Sequence, residues 1–199
     1  MVTSEQVKLL RQKTGVGMME CKKALEEASG DIEKAIKLLR ERGAAVAEKR
    51  ADRATKQGVV EAYIHTGGRI GAMVELNCES DFVAKTEDFR TLAKNLAMQV
   101  AAMNPRVITR DELAKDLLEK EREIYINQAK NEGKDEATAL KIAEDRIEKF
   151  IQENVLVEQT FIRDAGTTIK DLIHEAIGKI GENITIRRFQ RYHLGDEGK

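Results

Sequence analysis

Gly58-Val59-Val60-Glu61-Ala62-Tyr63-Ile64-His65-Thr66-Gly67-Gly68-Arg69-Ile70-Gly71-Ala72-Met73-Val74-Glu75-Leu76-Asn77-Cys78 decides the fold class. Before it the apolar residues recur at helical spacing; inside it the period falls to two. Val60, Ala62 and Ile64 alternate with Glu61, Tyr63 and His65. Ile70, Ala72, Val74, Leu76 and Cys78 alternate with Arg69, Gly71, Met73, Glu75 and Asn77. With Thr66-Gly67-Gly68 as the turn, this predicts a β-hairpin over a one-sided core. The loop exceeds the tightest two-residue hairpins. Far downstream, Ile184-Thr185-Ile186-Arg187-Arg188-Phe189-Gln190-Arg191-Tyr192 reads as a strand that can join the hairpin as a third antiparallel member. The fold class is therefore α+β and mostly helical.

Outward from the hairpin the pattern is helical. Thr3 and Gln6 form a capping box for a first helix carrying Val7 and Leu10, which Gly15 stops. Gly17 opens a second helix with Met18, Cys21, Ala24, Leu25 and Ala28 on one face. Ser29-Gly30-Asp31 supplies a stop, a turn and an N-cap. A third helix carries Ile32, Ala35, Ile36 and Leu39 and is expected to end at Gly43. Residues 1–42 are thus a three-helix domain near the lower size limit for independent folding. Residues 43–57 read as a helical linker, and 58–199 as an α+β core domain.

Within the core, a helix is expected over 87–103, ended by Asn104-Pro105. Thr109 and Glu112 suggest a capping box for a charged helix over about 110–131. After Gly133 a second charged helix runs over about 135–153. The narrow stripes Leu113, Leu117, Ile124 and Leu140, Ala143, Ile147, Phe150 suit an antiparallel helical hairpin at about 109–153, coiled-coil-like and protruding. A last helix spans Thr168 to Lys179.

The 199 residues hold 34 Lys+Arg against 35 Asp+Glu, a net charge of −1, which argues against binding by bulk attraction to nucleic acid. Residues 1–57 carry 13 basic and 9 acidic side chains, so such positive character as there is lies at the N-terminus. Apolar residues make up 41%, enough for a core. No apolar run approaches membrane-spanning length, and the N-terminus lacks a basic segment followed by an apolar one, so neither membrane nor secretion is expected. Cys21 and Cys78 are far apart and the three His residues are scattered, so no zinc site is expected; the thiols read as buried and reduced in a cytoplasmic protein.

No arrangement of groups suggests bond chemistry. Gly15-Val16-Gly17 lacks the third glycine and the Lys-Ser/Thr pair of a phosphate loop, and follows a helix rather than a strand, so it reads as a helix-breaking turn. No carboxylates stand at a recognisable catalytic spacing, and neither a G-x-S-x-G elbow nor H-E-x-x-H occurs. Metal and cofactor sites are expected to be absent, and the chain is not read as an enzyme. Three features remain. Of Met18 and Met19, adjacent on a helix, only one can point inward; the other is covered only in part or serves a partner surface. Asp81-Phe82 follows a strand end, where Phe82 either seeds the next helix's packing or projects as an apolar wedge beside an acid. Arg187 to Tyr192 interleaves basic and aromatic residues, fitting either a solvated outer strand or a surface for single-stranded nucleic acid.

Three stretches resemble one family. Thr14-Gly15-Val16-Gly17-Met18-Met19-Glu20-Cys21-Lys22-Lys23-Ala24-Leu25 is similar to the N-terminal signature of the bacterial elongation factor Ts family. Glu75-Leu76-Asn77-Cys78-Glu79-Ser80-Asp81-Phe82-Val83-Ala84-Lys85 and Lys179-Ile180-Gly181-Glu182-Asn183-Ile184-Thr185-Ile186-Arg187-Arg188 resemble it in the same order. Position 80 is more commonly Thr in the family; Ser80 keeps the hydroxyl.

The resemblance implies a guanine-nucleotide exchange factor for elongation factor Tu in translation elongation, with a ubiquitin-associated-like (UBA-like) three-helix domain at residues 1–42. It implies partner contacts from Val16, Gly17, Met18 and Met19 and from Ser80, Asp81, Phe82 and Val83. Asp81 and Phe82 would dislodge the partner's Mg²⁺, Phe82 by inserting between its helices. The partner would be met both GDP-bound and nucleotide-free, with no direct nucleic-acid contact. The chain carries one hairpin-and-helix core unit where longer members carry two, which implies a homodimer. The alternative from the residues alone is an RNA-binding translation protein using the C-terminal Arg/aromatic strand.

Overall fold

A computed structural model describes residues 2–196. In chain order its elements are α1 (Ser4–Thr14), α2 (Met18–Glu27), α3 (Ile32–Arg50), β1 (Gln57–Ile64), β2 (Ile70–Cys78), α4 (Asp81–Ala84), α5 (Glu87–Met103), α6 (Lys115–Asn131), α7 (Glu136–Asn154), β3 (Thr160–Phe161), β4 (Asp164–Thr168), α8 (Ile169–Ile180) and β5 (Ile184–His193). The fold is α+β and mostly helical. β1, β2 and β5 form a three-stranded antiparallel sheet with β2 central, and β3 and β4 pair separately. The chain divides into two compact units: Met1–Tyr63 with Met73–Ala97 and Lys170–Gln190, and Ile64–Ala72 with Met98–Ile169 and Arg191–Lys199.

In the first unit, α1 to α3 enclose Val7, Leu10, Cys21, Ala24, Leu25, Ala28, Ala35 and Leu39. The Thr3–Gln6 capping box is formed, Gly15 takes the left-handed conformation, and Asp31 caps α3. Gly43 does not end the third helix: α3 runs on to Arg50. Gly43 is buried, and a Cβ there would stand 3.2 Å from the His174 carbonyl oxygen of α8. The reciprocal Cβ on Gly178 would lie 3.1 Å from the Gly43 Cα. Glycine here lets two helix backbones approach, so its poor helix propensity is overridden by packing. An Arg40–Glu175 ion pair (2.8 Å) flanks the crossing.

The hairpin turns a different face inward along its first strand. On β2, Val74, Leu76 and Cys78 are buried as expected, as is Ala72. On β1 the half-buried residues are Val59, Glu61 and Tyr63, while Val60 and Ile64 are 64% and 66% exposed. β1 is an edge strand, and a one-residue change of register moves every side chain to the opposite face. Phe89, Leu92, Ala93 and Leu96 of α5 and Ile173 and Ile177 of α8 are buried in the same unit.

In the second unit, α6 and α7 form the hairpin. Its base encloses Leu113, Ile147, Ile151 and Val155, with Tyr125, Leu117 and Leu118 against them. The first charged helix starts late. Residues 110–112 make a single 3-10 turn, Leu113 and Ala114 are extended, and α6 opens at Lys115. Glu112 accepts from the Ile108 amide at 3.1 Å and from the Thr109 hydroxyl at 3.3 Å, but Thr109 caps no amide in return. Neither bond of the expected box forms, because Glu112 reaches the Ile108 amide instead of the Thr109 amide, and the helix breaks there. The β3–β4 pair was not visible in the periodicity. Buried Gln99 fixes it: its Nε2 donates to Gln159 Oε1 and the Thr160 carbonyl (both 3.1 Å), and its Oε1 accepts from the Ile162 amide at 3.0 Å.

Candidate functional site

Two short segments of the first unit expose apolar side chains that its core could have covered. The first is the α1–α2 turn. Gly15, at φ 67, sends its amide to the Arg11 carbonyl at 2.7 Å, closing α1. Val16 is half-buried on the three-helix core, and its carbonyl accepts the Cys21 thiol at 3.4 Å. Gly17 then starts α2 without a side-chain cap. Met18 and Met19 are 38% and 65% exposed, so neither is a core residue. A polarizable, unbranched side chain held out on a helix start is suited to an apolar contact with a partner.

The second segment is the turn from β2 into α4. Ser80 is the N-cap: its Oγ accepts from the Val83 amide at 3.3 Å. The cap directs the single turn Asp81–Ala84 so that Ala84 is buried, Val83 is half-buried, and Asp81 and Phe82 face outward. Phe82 is 79% exposed, so it does not seed the packing of α5. Its ring is lined by the Lys85 ammonium, 6.0 Å from the centroid, at the outer limit of a cation–π contact. The same Lys85 pairs with Asp81 at 2.7 Å and holds the Asp81 carboxyl below its ordinary range. At neutral pH the turn therefore presents an ionised carboxylate next to an uncovered phenyl ring.

Both turns are supported by residues the sequence reading did not single out individually. Lys179 of α8 lies over Gly15, where a Cβ would stand 2.9 Å from its Cε and Nζ. Its ammonium pairs with Asp88, at the start of α5, at 2.6 Å. One side chain thus touches the α1–α2 turn and the helix that follows α4. Glu182 accepts from the amides of Glu79 (3.1 Å) and Ser80 (2.9 Å) and from the Ser80 hydroxyl (2.6 Å). Glu79 in turn accepts from the Asn183 amide at 2.6 Å, the main cause of its lowered pKa. Below the turn, burial pushes the Cys78 thiol up, with the Glu182 charge adding to it.

These contacts position side chains without assembling reacting groups. Among the described residues no three His, Cys, Asp or Glu side chains come together as a metal-binding group, and no helix is long and apolar enough to cross a membrane. Two of the three arginines of the last strand are engaged. Arg188 pairs with Glu75 at 2.7 Å, and Arg191 donates to the Ala101 carbonyl at 3.0 Å and faces Asp196.

The family model described as Elongation factor TS matches residues 9–177, a span that includes both exposed turns. The chain belongs to the elongation factor Ts family. It is 56% identical to elongation factor Ts of Carboxydothermus hydrogenoformans over 98% of this chain and 90% of that one. It is 56% identical to that of Moorella thermoacetica, covering 98% and 97%. The elongation factor Ts of Acetivibrio thermocellus is 57% identical, with 98% and 91% covered. Membership therefore extends along nearly the whole chain and includes the third stretch, Lys179 to Arg188, which supplies the supports beneath the turns.

Proposed function

We infer that this chain is a guanine-nucleotide exchange factor for elongation factor Tu in translation elongation, acting in the cytoplasm. The observation that carries the mechanism is Phe82: an aromatic ring, 79% exposed, on a capped turn beside an ionised Asp81. Exchange requires no covalent step. The factor must bind the nucleotide-free partner more tightly than the nucleotide-bound one, and linkage then makes it weaken nucleotide binding by the same ratio. The nucleotide depends on Mg²⁺ and on a phosphate-binding loop, so small displacements of either are sufficient.

In this reading Val16, Gly17, Met18 and Met19 dock on the nucleotide-binding domain of the partner, with residues 1–42 as a UBA-like docking module; the segment 43–57 that follows is helical only as far as Arg50, where α3 ends, and reaches β1 at Gln57. Ser80 and Val83 hold the turn from which Phe82 inserts between the partner's helices, and Asp81 disturbs the Mg²⁺ environment. The factor meets the GDP-bound partner and stabilises the nucleotide-free one. A second copy of the chain supplies the rest of the contact surface. The test is release of a fluorescent GDP analogue from elongation factor Tu, with and without this protein. Unchanged release at saturating factor would overturn the reading.

A further inference from the structure

We propose that Glu182 is a positioning residue for exchange: by clamping the Glu79–Ser80 peptide it fixes the direction in which Phe82 leaves the turn. The proposal rests on the reading of Phe82 as the inserted group. α4 has four residues, Asp81–Ala84. A single turn has no stability of its own, because helix nucleation is unfavourable until further turns repay it. Its orientation must come from what holds its start.

What holds it is one carboxylate from the loop between α8 and β5. Glu182 Oε2 accepts the Glu79 and Ser80 amides, and Oε1 accepts the Ser80 hydroxyl. The hydroxyl that donates to Glu182 is the same one that accepts from the Val83 amide. The chain of bonds thus runs from Glu182 through Ser80 to the far side of Phe82. Charge-assisted bonds of this kind are shorter and stronger than neutral ones. The loop itself is anchored. Gly181 closes α8 with its amide on the Ile177 carbonyl at 2.9 Å. The Asn183 side chain donates to the carbonyls of Ala51 (3.2 Å) and Arg53 (2.9 Å), just after α3. Glu182 is therefore a fixed acceptor, and the turn is set against it.

The experiment compares Glu182→Ala, Glu182→Asp, Glu182→Gln, Phe82→Ala and the double variant Glu182→Ala/Phe82→Ala in fluorescent GDP release from elongation factor Tu over a range of factor concentrations. Losing charge-assisted bonds to the turn should slow the saturating rate of Glu182→Ala about tenfold. Half-saturation should stay within about twofold, because docking through residues 16–19 is untouched. Glu182→Gln keeps the length and one acceptor oxygen for the two amides but loses the charge and turns a donor toward the Ser80 hydroxyl, so it should recover only part of the rate. Glu182→Asp keeps the charge but loses the reach and should fall between. In the Phe82→Ala background the Glu182→Ala change should add nothing further, since the group it aims is gone.

A normal rate for Glu182→Ala, with Phe82→Ala slow, overturns the proposal and leaves the Phe82 reading standing. An equal loss in both backgrounds also overturns it, since that is general destabilisation. A normal rate for Phe82→Ala removes the reading and the proposal together. If Glu182→Ala does not fold at the assay temperature, Glu182→Asp in the two backgrounds decides by the same comparison.

Discussion

Replacing Phe82 by Ala separates an exposed functional ring from a structural one. A Phe side chain offers about 200 Å² of surface. At 79% exposure, about 160 Å² of that is free for a partner to cover. At about 25 cal/mol per Å² its burial is worth at most ~4 kcal/mol. Truncated interface anchors commonly cost about 2 kcal/mol or more, because ordering and imperfect fit take back part of the gain. The expected effect is therefore a GDP release rate at least about thirtyfold slower at subsaturating factor. The folded protein should hardly notice. The ring lies 6.0 Å from the Lys85 ammonium, and an exposed cation–π contact is worth about 0.5–1 kcal/mol. Stopped-flow release of a fluorescent GDP analogue reads the first quantity and thermal melting by circular dichroism the second. A variant that melts far below wild type, yet releases GDP at the normal rate while folded, would refute the reasoning. Loss of a buried Phe would cost about 3–5 kcal/mol instead.

Asp81→Ala should give a smaller defect than Phe82→Ala, and the defect should vary with Mg²⁺ concentration in the same release assay; a defect independent of Mg²⁺ would contradict its assigned role. Gly43→Val should destabilise the fold by about 1–3 kcal/mol in urea unfolding, because the added atoms meet the α8 backbone at the helix crossing. Replacing the hairpin tip, Asn131 to Lys134, by another short turn that keeps Gly133 should leave the exchange rate within about twofold of wild type, since exposed positions that fill no core and lend no side chain to a helix cap tolerate substitution; a large loss with an unchanged melting curve would place the tip in the active contact.

Local signals in the sequence hold at most positions where the determinant is local, with the Thr109–Glu112 box as the exception. The Thr3–Gln6 box, the Asp31 cap and the span of α5 follow from residues three or four positions apart. They fail where a distant partner decides. Gly43 looks like a helix stop until α8 is placed against it. Val60 and Ile64 look like core until β1 is known to be an edge whose inner side carries Val59 and Tyr63. The β3–β4 pair depends on Gln99, about sixty positions upstream of its partners. The candidate site divides the same way. The resemblance of residues 16–19 and 80–83 to a family named the turns, but no pattern in the chain links Ser80 to Glu182, which meet across 102 positions.

Cys21 and Cys78 are both fully buried, one inside the three-helix core and one at the end of the central strand beneath the Phe82 turn. They are the chain's only cysteines. A thiol reagent therefore reaches neither until the surrounding structure opens, and each alkylation rate becomes a clock for one opening event. With the other cysteine replaced by alanine, the Cys21 clock times the loosening of the helices that present Met18 and Met19. The Cys78 clock times the loosening of the strand end that presents Phe82. Run in the presence of a partner, the pair would report which of the two turns is gripped first, with no label added to either surface.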